Sequence, residues 1–342
     1  VNGEAGKYNG VRDTQKYPLA SVSKVFLTAW ALDKLGPDYK FENLWYFKKV
    51  SDGVYDVYFK ANYDPALNIE KMLYAMAVLR AQGVLKIRQL VIDETTRVYL
   101  SVLNDPHVEL TEVPVSLNQS VENLRIIFNS SNWGSQTETA KANLAQFAQQ
   151  KNRVINVPNT FSVDQVVYSY SKKININNYT SVIKMKSSVL LKYLKDINVN
   201  SNNYMTDMLF KILGGQTEFK KFQQSRLGLT SNDLQFSTGS GLPVISMGIR
   251  TDNLGSCLAV LKTLKFINVL SQQLNFDMGH VLLTAGTDNG TYEPTIPMSL
   301  NHNMVLKTGR LYDVPVLNVA GTTSLSSGTL YFAYFTHNFD ND

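Results

Sequence analysis

The chain of 342 residues contains one cysteine, Cys257. A single cysteine excludes an internal disulfide framework and any cysteine-based zinc cluster. Histidine is scarce as well. His107, His280, His302 and His337 are the whole set, and none stands at the spacing that two ligands of one metal need. Neither a metal nor a cofactor is expected. No apolar run approaches the roughly 18 residues that read as a membrane span, so no transmembrane anchor is expected. The first residues lack a charged start followed by an apolar stretch, so any leader is expected to have been removed before Val1. Charge is not concentrated either. Lys and Arg number 33 against 28 Asp and Glu, and the basic residues are scattered in pairs such as Lys48-Lys49, Lys172-Lys173 and Lys220-Lys221. A nucleic-acid surface gathers its cations on one face, so no nucleic-acid partner is expected.

Apolar residues make up 44% of the chain and charged residues 18%, an ordinary globular balance with ample material for a core. The length implies one large domain or two modest ones. After Pro18-Leu19-Ala20, the apolar residues Val25, Phe26, Ala29 and Leu32 recur at helical spacing, and Gly36-Pro37 ends the pattern. Residues 44–60 alternate in short runs around a hairpin turn at Ser51-Asp52-Gly53. A helix is predicted from about Ile69 to Ala81, then strands at 84–87 and 90–92. Residues 101–180 are rich in Asn, Ser and Thr, with a helical pattern at 139–150. Further helical blocks begin near Ser187 and after Asn203. Alternating stretches at 304–307, 315–320 and 329–336 predict three consecutive antiparallel strands. There is no internal repeat and no low-complexity linker.

Three short motifs bear on chemistry. Ser-x-x-Lys occurs at Ser21/Lys24, Ser169/Lys172 and Ser181/Lys184; Ser-x-Asn occurs at Ser116, Ser130, Ser201 and Ser299; Lys307-Thr308-Gly309 occurs once. Chance supplies the first two freely, so context must select among them. Ser21 opens an apolar helix, where free N–H groups and the helix dipole favour developing negative charge. The spacing of three sets Lys24 one turn on, over the same face. A serine hydroxyl is a weak nucleophile until a neighbour takes its proton, which a lysine of lowered pKa does. The plain alternative is a capping serine beside a solvated lysine. Ser201-Asn202-Asn203 lies in a polar turn between helical blocks. The Lys-Thr-Gly run reads as the end of a strand, with Gly309 giving a peptide room against the strand edge. The order of the three motifs is far more specific than any member and is the signature of penicillin-recognising serine enzymes.

The resemblance extends over nearly the whole chain. The stretch from Pro18 through Lys24, followed by Leu35-Gly36-Pro37-Asp38, resembles the type-4 penicillin-binding protein family, the class C low-molecular-mass D-alanyl-D-alanine carboxypeptidases and endopeptidases. Gly83-Val84 with Leu90-Val91-Ile92-Asp93 is similar to that family's inserted domain. Leu190-Leu191-Lys192, Gly239-Ser240-Gly241-Leu242 and Asn318-Val319-Ala320-Gly321 match its later blocks. Two positions depart from the family pattern: Arg310 replaces the usual Ser or Thr after Lys-Thr-Gly, and Thr238 replaces the Asp that commonly precedes Gly-Ser-Gly. The stretch from Lys24 to Ser201 is also shorter than in fuller members, which implies one inserted domain instead of two.

The resemblance implies an α/β (α+β) fold: a β-lactamase/transpeptidase-like domain, its antiparallel sheet flanked by helices, built from 1–43 and 181–342. A smaller inserted α+β domain spans 44–180. It implies a serine DD-endopeptidase with DD-carboxypeptidase activity on D-Ala–diaminopimelate cross-links of peptidoglycan peptide stems, with β-lactams as covalent inhibitors. Ser21 is then the nucleophile, Lys24 the general base and Ser201 the proton relay. Asn203 binds the acyl side's amide, and Lys307 supplies positive potential. Thr308, Gly309 and Arg310 contact substrate, and the backbone N–H groups of Ser21 and Arg310 form the oxyanion hole. The substrate implies a periplasmic or secreted protein. Two alternatives carry the same signature: a serine β-lactamase, and a non-catalytic protein that binds wall fragments or β-lactams.

Overall fold

The computed structural model describes residues 12–101, 115–288, 301–311, 313–326 and 328–337. His107 lies outside these. The chain divides into two units: residues up to Tyr39 with those from Ser188 onward, and Lys40–Ser187 between them.

The first unit opens with β1 (Lys16–Pro18), a 3-10 turn (Ala20–Val22) and α1 (Ser23–Leu35). Val25, Phe26, Leu27, Ala29, Trp30, Ala31 and Leu32 are all buried, so α1 is apolar on almost every side, as a helix packed all round must be. It stops at Gly36, whose N–H returns to the Leu32 carbonyl at 3.0 Å.

The second unit contains β2 (Glu42–Ser51), β3 (Val54–Lys60), α2 (Ile69–Ala81), β4 (Lys86–Ile92), α3 (Leu117–Ile127), α4 (Ser135–Gln150), β5 (Ser162–Tyr168) and β6 (Ser181–Lys186). Its sheet has the order β5-β4-β3-β2-β6. β2 pairs antiparallel with β3 and with β6, while β3, β4 and β5 are parallel. Parallel neighbours need a crossover, which α2 provides between β3 and β4, and α3 with α4 between β4 and β5. Asn68 caps α2 by accepting from Lys71 N at 3.2 Å. Trp45 is fully buried at the core, stacked on Phe59 at 4.0 Å with Phe128 at 6.0 Å.

The domain limits read from the sequence assigned residues 181–186 to the larger unit. Here they form β6, which pairs with residues 42–47 of β2, so both belong to the smaller unit. β4 is one strand where two short ones were predicted. Elements α3, β5 and β6 had no clear sequence signal. β6 is an edge strand with little burial, which leaves little apolar alternation to read.

The first unit resumes with α5 (Leu190–Val199), α6 (Asn203–Ile212), α7 (Gly215–Ser225), β7 (Leu234–Gln235), β8 (Val244–Ser246), β9 (Ile249–Thr251), β10 (Leu254–Ser256) and α8 (Cys257–Gln273). It ends with β11 (Leu283–Thr284), β12 (Met304–Leu311), β13 (Val316–Leu325) and β14 (Gly328–His337). The last four form an antiparallel sheet in chain order. The three predicted C-terminal strands are present, each longer than predicted. β1, β10 and β7 make a small sheet beside it, and β8 pairs with β9. α8 packs on α1, β13 and β14. Trp30 of α1 meets Phe210, Phe219 and Phe222, and Phe219 stacks on Phe236 at 4.1 Å. The whole is the expected fold class: an antiparallel sheet with helices, and a smaller inserted α+β unit. Among the described residues no helix is long and apolar enough to cross a membrane.

Trp45→Ala empties the centre of the inserted unit's core. It is expected to lower the unfolding free energy by about 3–5 kcal/mol in urea denaturation.

Candidate active site

The turn that carries Ser21 is pinned from two sides. Leu19 N donates to the Asn253 carbonyl at 2.8 Å. Asn318 Nδ2, on β13, donates to the carbonyls of Pro18 at 2.7 Å and Leu19 at 3.1 Å. Between them Ala20 is held at φ 48°, a left-handed conformation that costs a residue with a Cβ about 1–2 kcal/mol. Ser21 therefore lies in the 3-10 turn just ahead of α1, not on the helix itself. Two glycines permit the turn. A Cβ on Gly241 would lie 1.8 Å from the Ala20 carbonyl oxygen. A Cβ on Gly309 would lie 2.8 Å from the Leu19 carbonyl oxygen and 3.1 Å from Ser21 N. Gly309 thus lets β12 approach the Ser21 turn.

Lys24, in the first turn of α1, is completely buried. Its Nζ donates to Ser21 Oγ at 2.9 Å, Asn203 Oδ1 at 2.7 Å and the Ser240 carbonyl at 2.9 Å. Three acceptors use all three N–H groups of an ammonium. Burial above all, and then the charge of Lys307, hold the amine well below the ordinary lysine range, while Asp207 pulls the other way.

A second amine–hydroxyl pair faces the first. Lys307 is 1% exposed, and its Nζ donates to Ser201 Oγ at 3.1 Å and the Thr308 carbonyl at 2.9 Å. Burial pushes it down to about 7. Lys307 lies in the middle of β12, not at a strand end as predicted. Strand alternation sets Lys307, Gly309 and Leu311 on the buried face and Thr308 and Arg310 on the other. Ser201 takes φ 56°, again left-handed. Asn202 then caps α6 by accepting from Met205 N at 2.9 Å, and Asn203 becomes the helix's first residue. Non-glycine residues in such conformations cluster at functional sites, and here two of them flank the same cluster.

Ser181 and Lys184, of another Ser-x-x-Lys match, are three apart on β6 and point to opposite faces. Lys172 lies near the Tyr170 ring, 5.9 Å from its centroid. Among the described residues, only the Ser21/Lys24 match carries a lysine-to-serine hydrogen bond. No group of three or more His, Cys, Asp or Glu side chains is arranged to hold a metal among them.

The model of the D-Ala-D-Ala carboxypeptidase 3 (S13) family matches residues 8–107 and 129–342. The chain belongs to that family. It is a serine D-Ala-D-Ala peptidase, a hydrolase of peptidoglycan. Among solved structures it is similar to Bd0816, a predatory endopeptidase of Bdellovibrio bacteriovorus in complex with the immunity protein Bd3460. Identity is 25% and the TM-score 0.87, over 98% of this chain and 84% of that one. The penicillin G-acylated Bd3459 endopeptidase of the same organism shares the fold at 22% identity and a TM-score of 0.82, over 98% and 83% of the two chains. So does penicillin-binding protein 4 of Haemophilus influenzae in complex with a β-lactam, at 20% identity and 0.60, over 98% and 89%. No curated protein sequence matches the chain.

Within this S13 peptidase several residues support the cluster that no motif had marked. Asn253 is wholly buried. Its Oδ1 accepts from Ser237 N and Thr238 N, and its Nδ2 donates to Ser23 Oγ and the Thr238 carbonyl. Thr238, which departs from the family pattern, closes its own turn by donating to the Leu242 carbonyl at 2.8 Å and accepting from Gly241 N at 3.3 Å. Asp207 accepts from Ser240 N at 2.8 Å. Its only sequence cue was its spacing of four from Asn203 on one helix. Asn318 was marked only as the start of a block that matches the family, with no role assigned, and Asn253 had no cue, because a buried amide is indistinguishable from a loop amide in sequence.

Gly309→Ala forces β12 off the Ser21 turn. Covalent labelling by fluorescent penicillin is expected to slow at least about tenfold, the effect of a transition-state loss near 1.4 kcal/mol, with the far-ultraviolet circular dichroism unchanged.

Proposed function

We propose that the protein is a peptidoglycan DD-endopeptidase with DD-carboxypeptidase activity, cleaving D-Ala–diaminopimelate cross-links through an acyl-enzyme on Ser21. The hydrogen bond from the buried Lys24 amine to Ser21 Oγ carries this reading. An amine whose proton affinity is lowered by burial accepts the serine proton as Oγ attacks the D-Ala carbonyl. The backbone N–H groups of Ser21 and Arg310 are assigned to the developing oxyanion, where one donor is worth about 3 kcal/mol of barrier. Ser201, held by Lys307, passes a proton to the leaving amine. Asn203 Oδ1 is committed to Lys24, so its Nδ2 is the group assigned to the acyl-side carbonyl. Thr308 and Arg310 are assigned to the leaving residue's carboxylate, for which a guanidinium fork is well matched. Water then releases the acyl group. A β-lactam acylates Ser21 by the same steps and stays, since its leaving amine remains tethered. The similarity to Bd0816, an endopeptidase at 25% identity, favours cross-links over terminal D-Ala as the substrate. A substrate outside the cytoplasm requires export, to the periplasm or beyond.

Digestion of purified muropeptides by wild type, Ser21→Ala and Lys24→Ala, read by mass spectrometry, tests this. Cross-linked dimers are expected to fall to monomers with wild type alone. Loss of terminal D-Ala with dimers intact would make the protein a carboxypeptidase only. Rapid turnover of a chromogenic cephalosporin would make it a β-lactamase.

The pH dependence follows from Lys307. A lysine sheds its charge as pH rises through its pKa, here about 7. If its positive potential assists acylation, the second-order rate of penicillin labelling falls as pH rises through that value. Lys307→Arg, permanently charged, is expected to carry the plateau to higher pH in the same assay.

A further inference from the structure

Helix α6 reaches Lys24 twice. Asn203, its first residue, accepts from Nζ directly at 2.7 Å. Asp207, one turn on, reaches it through a backbone group. Its Oδ1 accepts from Ser240 N at 2.8 Å, and the Ser240 carbonyl accepts from Lys24 Nζ at 2.9 Å. The Ser240 hydroxyl and the Gly239 backbone also bond the carboxyl. The two groups sit on either side of the Ser240 Cα, so anchoring the N–H on the carboxylate fixes the residue that presents its carbonyl to the amine.

We propose that Asp207 is a positioning residue for the peptidase reaction, fixing the Ser240 carbonyl against Lys24 and setting the pH at which the Lys24 amine becomes the base for Ser21. The inference rests on the proposed reading of Lys24 as that base.

The groups that face Lys24 are few. Lys307 on β12 and Asp207 on α6 are the charged ones; Ser21 Oγ, Asn203 Oδ1 and the Ser240 carbonyl are neutral acceptors. Burial and Lys307 favour the free amine, whereas Asp207 favours the ammonium. The carboxyl is itself raised by burial and drawn back by the Ser240 bonds and by Lys24. Without Asp207 nothing acidic opposes burial and Lys307, so Lys24 loses its proton at lower pH. The anion therefore guards against an amine too acidic to bind the serine proton firmly. A general base works best with a pKa near the operating pH.

The test is the second-order rate of penicillin acylation from acid to neutral pH. It compares wild type, Asp207→Asn, Asp207→Glu and Lys24→Ala. The asparagine keeps an oxygen for Ser240 N and removes the charge together with one acceptor oxygen. Its acid limb is expected to move down by about one to three pH units, the effect of one nearby opposite charge. The glutamate keeps the charge and is expected to keep the wild-type limb. An Asp207→Asn limb that superimposes on wild type, with Lys24→Ala inert, overturns this inference and leaves the base reading standing. Should the asparagine variant not fold, a displaced limb in Asp207→Glu overturns it instead. Acylation of Lys24→Ala at the wild-type rate would overturn the base reading, and this inference with it.

Discussion

Burying the Lys24 amine is the constraint on which the rest of the larger unit turns. An isolated ammonium taken from water costs several kcal/mol, so the fold must either satisfy it or deprotonate it. It does some of each. Three acceptors come from three separate places: Ser21 from the 3-10 turn, Asn203 from the start of α6, and Ser240 from the loop after β7. A second buried lysine, Lys307, arrives on β12 and shifts the balance toward the free amine. The Ser21 turn, helix, loop and strand must all converge for that one nitrogen to be tolerated.

Convergence at this density requires unusual backbone. Ala20 and Ser201 take left-handed conformations that would be unfavourable in isolation, and the network around them over-determines both. Asn253 is an economical part of that network. Its side chain uses both ends, and its carbonyl also accepts from Leu19 N. Asn318 holds the other side of the same turn. The two glycines do the complementary task of leaving space where backbone meets backbone. Rigidity of this kind suits acyl transfer, since donors already aimed at the developing charge need no reorganisation as it forms.

The smaller unit follows a different logic. Its stability rests on an apolar core around Trp45 and on parallel strands joined by helices, with no strained residue of the kind found beside Ser21 apart from Asn62, Tyr63 and Asn152 among those described. Asp64 and Asp93 are fully buried but well supplied with partners: Lys71 and Asn43 for the first, Tyr58 and Thr95 for the second.

Much was legible in the sequence by itself: the three motifs in their order, the apolar helix after Ser21, the last three strands, and the presence of an inserted region. These are local, carried by periodicity, by punctuation such as Gly36-Pro37 and by the spacing of three between Ser21 and Lys24. The tertiary structure decided everything that depends on distance in space. It gave the physical ground for the Ser-x-x-Lys that sequence context had picked out: only at Ser21 is the lysine buried and bonded to its serine. It showed Gly309 packed against the Ser21 turn and set Lys307 within its strand. It assigned 181–186 to the smaller unit by pairing them with β2. It also brought Asp207, Ser240, Asn253 and Asn318 to the site, which sequence spacing could not foretell. Their roles come from hydrogen bonds between segments far apart in the chain, and only the packed fold determines which segments meet.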